Sequence, residues 1–570
     1  MNILGINYGG HDTSACIMVN GKILAACEQE RYDGIKHSRN FPINAIQDCL
    51  KISGLSINQV DIISFGLIPQ LKIRSLYLNS LVKDPDRINI FIQDIKKIDE
   101  LENIENIIRE KTLFKKKIEY KNHHLCHLAS AFYPSGFEKS LITSYDGIGE
   151  INSALFAIGK KDKIKILHEQ NVFPNSLGLI YSAVTHFLGW RHHCDEGIIM
   201  GLAPFGDPFS KVPKSKLRYI DYFRKIIFLE KKDKLSFIVN KDWISYHQTR
   251  DTWVSEKFIK NFGNLRSYDS KINQHHKNIA SALQLRIEEI VLYQLKYLKE
   301  KYKSDYLCIA GGVGLNCSLN GKISRSKIFK KIFVQPASGD AGVAYGACLL
   351  SYKNISKKKL ILDNFYLGHR ENNDSYLKNL KKTGLDFKNL GEKIYNTTAE
   401  LISEGKIIAW FQDGAEFGPR ALGNRSILCK PYPSGMKDYL NKKVKFRENF
   451  RPFAPSVLEE DLNLYFDIDQ KSEHMLIACL VKKSKKKIIP AVVHIDDTCR
   501  VQSVSKKNNL KFWKLINEFK EITGIPVLLN TSFNVKGYPI VNSSTDAIKC
   551  FLKYKIDYLV LGNFLVSKKY

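Results

Sequence analysis

A chain of 570 residues is too long for one hydrophobic core, so two to four domains are expected. Apolar content of 44% and charged content of 25% are ordinary for a globular protein, and the absence of a long apolar run excludes a transmembrane span. The formal charge of +29 is spread over the whole length in short lysine runs with no nucleic-acid module beside them. Solvated lysine faces and attraction of anionic substrates such as nucleotides account for it better than nucleic-acid binding.

Met1-Asn2-Ile3-Leu4-Gly5-Ile6 lacks the basic start and long apolar region of a signal peptide and reads as a first strand; a cytoplasmic protein is expected. The 12 cysteines are scattered, without a Cys-x-x-Cys pair, which is the reduced intracellular pattern.

Ile3–Ile6, Ala15–Val19 and Lys22–Cys27 read as strands, with Asn20-Gly21 as a tight hairpin turn. The turn from Asn7 to Ser14 can aim backbone N–H groups at phosphate, and it holds His11 and Asp12; a plain polar tip is the alternative. Glu28 to Pro42 is dense in charge, and Lys36-His37 is an anion-binding candidate within it, or part of a solvated edge. Residues 43 to about 118 read as helices with loops, including a charged surface helix at Ile92–Ile108.

His123 and His127 are four apart, which puts both imidazoles on one helix face, near enough to share a cation. A helix cap or a packed core edge fits them as well. Asp146 and Asp340 each follow a strand-like run beside glycine and would complete a mixed N/O site, suited to iron, manganese or zinc more than copper(I). Leu141–Tyr145 enters the turn Asp146-Gly147-Ile148-Gly149-Glu150 and Ser153–Ile158 leaves it, repeating the opening pattern of strand, acidic glycine turn, strand. Two such units suggest a duplicated ATPase-like α/β fold with nucleotide between its halves.

Leu179–Leu188 reads as an apolar helix, and His192-His193 beyond it as cleft-lining or exposed rather than metal-binding. The lysine- and aromatic-rich stretch 208–268 reads as an insertion, followed by a long helix from Lys277 to Glu300. Tyr306–Ala310 is a strand ending in Gly311-Gly312, which permits close approach to a nucleotide or a tight strand–helix turn. The first domain is expected to span residues 1–355, with 356–392 as a linker and 393–570 as the second domain. In the latter, Arg420 and Arg425 lie five apart between glycines and suit an oxyanion clamp or a solvated turn. Lys445, Arg447 and Arg451 follow. His494, Asp496, Thr498, Arg500 and Gln502 alternate, which on one strand makes a single polar face: an active-site wall, or a wet surface.

Seven motifs in order carry a resemblance: Gly9 to Ala15, His123 to His127, Asp146 to Glu150, Met200 to Pro204, Gly311 to Asn316, Phe417 to Gly423, and Asn530-Thr531-Ser532-Phe533-Asn534. The sequence resembles the O-carbamoyltransferases of the nodulation and antibiotic-tailoring kind, over nearly the whole chain. The resemblance implies an actin-like N-terminal domain similar to the tRNA threonylcarbamoyladenosine transferase, and a C-terminal α/β domain similar to its acyl-adenylate-forming partner. His123, His127, Asp146 and Asp340 would hold a divalent metal, iron by expectation. Gly311, Gly312 and Asn316 would lie by the nucleotide. Arg420, Arg425, Lys445, Arg447, Arg451, His494, Arg500 and Asn530 would surround ATP, with its Mg2+, and carbamoyl phosphate. His11 is the expected base, aided by Asp12, with Lys36 and His37 against carbamoyl or phosphate groups.

The implied reaction makes carbamoyl-adenylate and then transfers the carbamoyl group to a hydroxyl of a sugar-containing molecule or glycan; a homodimer is compatible with this. Ile198, Asp497 and Tyr538 depart from the family's pattern and bear on the acceptor and on the second-domain pocket. The rival readings are a tRNA threonylcarbamoyladenosine enzyme, an actin-like or sugar-kinase ATPase, and a catalytically silent scaffold.

Overall fold

The computed structural model describes residues 1–352 and 364–568. They form two compact units, one of Met1–Leu24 with His37–Ile361, the other of Ala25–Lys36 with Leu362–Tyr570. Among the described residues no helix is long and apolar enough to cross a membrane.

The first unit holds two five-stranded sheets. The first contains β1 (Asn2–Asn7), β2 (Ser14–Val19), β3 (Lys22–Glu28, of which Lys22–Leu24 fall in this unit), β4 (Ile62–Phe65) and β5 (Lys117–Tyr120), in the order β3-β2-β1-β4-β5. Asn20 and Gly21 take φ of 49° and 82°, the pair of left-handed conformations that a two-residue hairpin needs. The second sheet contains β6 (Lys139–Tyr145), β7 (Ala154–Lys160) and β8 (Lys163–His168). A separate hairpin of β9 (Ile227–Leu229) and β10 (Phe237–Val239) precedes its last strands, β11 (Tyr306–Ala310) and β12 (Lys331–Val334); the order is β12-β11-β6-β7-β8.

In both sheets the first strand pairs antiparallel with the second and parallel with the strand on its other side, which in turn pairs parallel with the edge strand. The unit is therefore a duplicated α/β fold of the actin-like kind, as the two acidic glycine turns suggested.

Two helices, His123–Phe132 and Ala341–Ser351, pack together in its interior. Their approach depends on Gly346, because a Cβ there would run into the Cys126 carbonyl oxygen. Between β4 and β5 the chain makes a helical excursion over residues 69–112. The expected single helix at Ile92–Ile108 is interrupted there, as Ile88–Gln93, Ile95–Glu102 and Ile104–Thr112. The stretch 208–268 packs its aromatic residues against one another and against the helix Leu177–Phe187: Phe258 lies 4.6 Å from Phe262 and 4.9 Å from Phe187, ring centre to ring centre.

The second unit centres on an eight-stranded sheet. Its strands are β13 (Asp386–Asn389), β14 (Ile408–Phe411), β15 (Arg425–Cys429), β16 (Ala454–Leu458), β20 (Gln502–Val504), β21 (Val527–Ser532), β22 (Tyr558–Leu561) and β23 (Phe564–Ser567), in the order β13-β23-β22-β14-β15-β21-β16-β20. A small sheet joins β17 (Phe466–Asp467), β18 (Ala478–Val481) and β19 (Thr498–Arg500). The helices Ile394–Ser403 and Leu510–Thr523 bury Ile402, Phe512 and Phe519 against Trp410 and Leu528 of the large sheet.

The expected linker needs correcting. Residues 356–363 lie outside the described ones, but the rest of 356–392 supplies the helix Asn373–Leu380 and the edge strand β13, paired antiparallel with β23. A four-residue edge strand with three exposed positions carries too little apolar alternation to be seen in sequence.

Candidate active site

The four expected metal ligands come together. Asn122 caps the His123–Phe132 helix by accepting the Leu125 N–H at 3.0 Å, and the helix then presents His123 and His127 one turn apart. Asp146 follows the last residue of β6, and Asp340 stands at the head of the Ala341–Ser351 helix. All four side chains are buried. His123 Nε2 is 3.4 Å from Asp146 Oδ2 and 3.5 Å from Asp340 Oδ1; His127 Nε2 is 3.8 and 3.7 Å from the same atoms and 3.2 Å from His123 Nε2.

Atoms about 2.1 Å from one shared ion stand about 3.4 Å apart in a tetrahedral arrangement, so these separations fit a single cation. Asp340 Oδ1 has no hydrogen-bond donor among the described residues, which points the same way. Burial disfavours a charge on His123, yet Asp340 and Asp146 outweigh it and push the imidazole up to about 10. The pocket thus attracts positive charge. His124 faces elsewhere, bonded to Ser144 Oγ and the Asn152 carbonyl, and burial with His123 nearby pushes it down to about 3.

The turn after β1 supplies a second group. Asp12, in a left-handed conformation, accepts His11 Nδ1 at 2.9 Å and His37 Nδ1 at 2.7 Å. Burial opposes a charge on His11, but Asp340 and then Asp12 raise it to about 9. Lys36 falls in the segment 25–36 that groups with the second unit, so the Lys36-His37 pair is divided.

In the second unit Lys445 is buried, and its ammonium donates to Ser532 O, Asn534 O and Asn534 Oδ1 at 2.7, 2.9 and 2.7 Å. Burial, then the neighbouring Arg447, lower its pKa well below the usual lysine value. Arg447 donates to Asn441 Oδ1 at 2.7 Å, lies over the Phe453 ring, and is itself lowered by burial and by Arg451 and Arg500. Four cations therefore crowd one pocket. The nearest carboxylate of the group, Glu448, stands 3.7 Å from Arg451. Such a pocket is arranged for a polyanion.

A Carbamoyltransferase N-terminus family model matches residues 2–349 and a Carbamoyltransferase C-terminus model matches residues 399–568. The chain belongs to the carbamoyltransferase family. The nodulation protein NolNO of Sinorhizobium fredii is 37% identical over 98% of this chain and 79% of its own length. The uncharacterized protein sll1178 of Synechocystis is 34% identical over 100% of this chain and 97% of its own. The 3'-hydroxymethylcephem-O-carbamoyltransferase of Streptomyces clavuligerus is 32% identical over 45% of this chain and 48% of its own. The chain is thus an enzyme of carbamoyl transfer.

Several residues of this carbamoyltransferase do other work than expected. Arg425 is fully buried and spends all five guanidinium N–H groups on carbonyl oxygens: Asn542 through Nε, Gln412 and Asn424 through Nη1, His369 and Asp413 through Nη2. No donor is left for a ligand. Asn316 caps the Cys317–Arg325 helix and exchanges hydrogen bonds with Gln284. Asn530 is buried within the sheet, donating to Ser456 Oγ at 3.0 Å. Gly311, with φ of 86°, turns the chain so that Gly312 N–H donates to Asp146 Oδ1 at 2.7 Å; the pair orients the Asp146 carboxylate.

The expected single strand face from His494 to Gln502 is broken. His494 closes a turn, its N–H donating to Thr498 O at 2.8 Å, and Gln502 lies buried against Ser456. Of that set, Arg500 belongs to the cation pocket through Arg447. Arg420 is half-buried in the turn before β15.

Two carboxylates were overlooked in the sequence. Glu150 is fully buried and accepts Ile68 N–H, Asn122 Nδ2 and His123 N–H at 3.0, 2.8 and 3.0 Å. Glu416 accepts the N–H groups of Leu422, Asn424 and Arg425 at 2.7, 2.9 and 3.1 Å and so shapes the turn carrying Arg420. The only signal for either was an acid within a glycine-rich motif.

Proposed function

We propose that this enzyme is an ATP-dependent O-carbamoyltransferase acting on a hydroxyl of a sugar-containing small molecule or glycan. The observation that carries the reading is the carboxylate-poor pocket of Lys445, Arg447, Arg451 and Arg500, in a unit separate from the His123 cluster. In the second unit water cleaves carbamoyl phosphate to carbamate and inorganic phosphate. A carbamate oxygen attacks the ATP α-phosphorus, and pyrophosphate leaves. Lys445 and the arginines offset the negative charge on the phosphoryl oxygens throughout.

In the first unit the acceptor oxygen attacks the carbamoyl carbon and AMP leaves. His11, oriented by Asp12, takes the hydroxyl proton. His123, His127, Asp146 and Asp340 would hold iron(II) or another divalent cation, which supplies positive charge to phosphate oxygens. A cation there would also offset Asp340, which raises His11, and so would favour the neutral imidazole that a base requires. That the cephem enzyme is a named O-carbamoyltransferase supports the hydroxyl as acceptor.

The test is incubation of the full chain with ATP, carbamoyl phosphate, magnesium and ferrous iron, with pyrophosphate and the carbamoyl-adenylate mass followed together. Adenylate formation that is lost in Lys445→Met supports the proposal. Folded, metal-loaded protein that makes no adenylate overturns it.

A further inference from the structure

The helical excursion of the first unit holds cations that the reaction above does not use. Lys72 ends the short helix Pro69–Lys72, directly after Ile68, whose N–H binds Glu150. It is only 7% exposed, yet among the described residues its ammonium makes neither a hydrogen bond nor a close ion pair. Lys97, half-buried on the helix Ile95–Glu102, has none either. The two ammonium groups repel each other, and Arg250 and Arg39 add to the same positive field. Burial, then Lys72, push Lys97 down to about 7.

The carboxylate among these groups is already engaged. Asp94 takes Arg250 in a two-pronged pair, with Nη2 at 2.5 Å and Nε at 3.3 Å, and the Tyr77 hydroxyl at 3.0 Å. Lys72 does feel Glu150, Asp340 and Asp146. Glu150, however, is bonded to three N–H donors, and the two aspartates face the imidazoles of the cation cluster. A buried ammonium without a hydrogen-bond partner, with a half-buried second one beside it, leaves a place for an anion.

We propose that the carbamoyl acceptor bears a phosphate or carboxylate, and that Lys72 and Lys97, with Arg39 and Arg250 beside them, hold that anion next to the His123 cluster. This rests on the reading of the first unit as the site of transfer. The assignment to the acceptor rather than the nucleotide follows from topology. The turn at Gly311-Gly312, which binds Asp146, belongs to the second half of the duplicated fold. Lys72 and Lys97 come from the excursion between β4 and β5 of the first half.

The test is calorimetric titration of the metal-loaded full chain, saturated with a non-hydrolysable ATP analogue, first with sulfate and then with glucose 6-phosphate and glucose. Sulfate is expected to bind one site, about tenfold or more weakly in Lys72→Met and in Lys97→Met, with Lys97→Arg close to wild type and analogue affinity unchanged. Glucose 6-phosphate is expected to bind about tenfold tighter than glucose. No sulfate binding, equal binding in the methionine variants, or equal affinity for the two sugars overturns the proposal. A loss of analogue affinity in the methionine variants assigns the lysines to the nucleotide and overturns it as well. Pyrophosphate release in the same variants reports separately on the adenylate reading.

Discussion

Glu150 accepts the backbone N–H of His123 at 3.0 Å, so the acid that ends the glycine turn after β6 fixes the helix carrying two of the four clustered side chains. A carboxylate at a helix N-terminus satisfies orphan N–H groups and opposes the positive end of the helix dipole. Here it also ties that helix to Ile68 and, through Asn122, to the cap.

Glu150→Ala leaves one buried and two part-buried N–H donors without an acceptor. Each unsatisfied donor costs about 1–3 kcal/mol, so a lower melting temperature is expected. Metal affinity is expected to fall by about 10–100-fold, since residues that orient ligands act on affinity at that scale. Metal content after dialysis against a graded chelator measures this. Unchanged content would remove Glu150 from the cluster's support.

Removing a bound cation should separate the two proposed half-reactions. An iron-selective chelator, with magnesium retained, is expected to abolish carbamoyl transfer while pyrophosphate release continues. His127→Ala should reproduce this pattern, because it deletes one of four ligand atoms that lie within 4.8 Å of one another. Loss of both activities together would argue against a division of labour between the units.

Lys445→Met removes a buried ammonium bonded to Ser532 and Asn534. A drop in pyrophosphate release of about 10-fold or more is expected, because the change removes a positive charge near the phosphoryl oxygens and the anchor of the Ser532–Asn534 turn. Metal content should stay at the wild-type level. Activity close to wild type would take Lys445 out of the chemistry.

Arg425→Lys is expected to act on stability rather than on a ligand. A lysine ammonium offers three donors where the guanidinium offers five, and at least two buried carbonyls would lose their partner. A loss of about 2–4 kcal/mol follows, visible as a lowered denaturant midpoint. A wild-type midpoint combined with weakened ATP binding would restore the ligand role.

Gly346→Ala tests how the cluster is assembled. The added methyl would meet the Cys126 carbonyl oxygen, so the Ala341–Ser351 helix must move away from His123–Phe132. The expected outcome is loss of bound metal with the far-ultraviolet dichroism of the fold retained.

Much of the architecture was legible in local pattern. Asn20-Gly21 between two apolar runs specifies a hairpin, and the i, i+4 spacing of His123 and His127 specifies a shared helix face, because both depend only on backbone geometry over a few residues. Asp146 and Asp340 could be chosen because each ends a strand or opens a helix beside glycine. Arg425 was misread because a guanidinium fork binds a phosphate and a cradle of carbonyls with the same donors, and sequence does not say which will surround it. Residues 494–502 alternate as a strand would, yet the His494–Thr498 hydrogen bond turns the chain back.

The sequence alone therefore determined the family, the duplicated α/β pattern and the inventory of chemical groups, since these rest on composition, periodicity and ordered motifs. Tertiary structure alone decided which groups meet. Glu150 reaches Ile68 across 82 residues, and His123 meets Asp340 through the packing of two helices that only a glycine allows. Burial, too, is a property of the folded chain. It separates Arg425, whose donors are all taken, from Lys72, which is buried without a hydrogen-bond partner among the described residues.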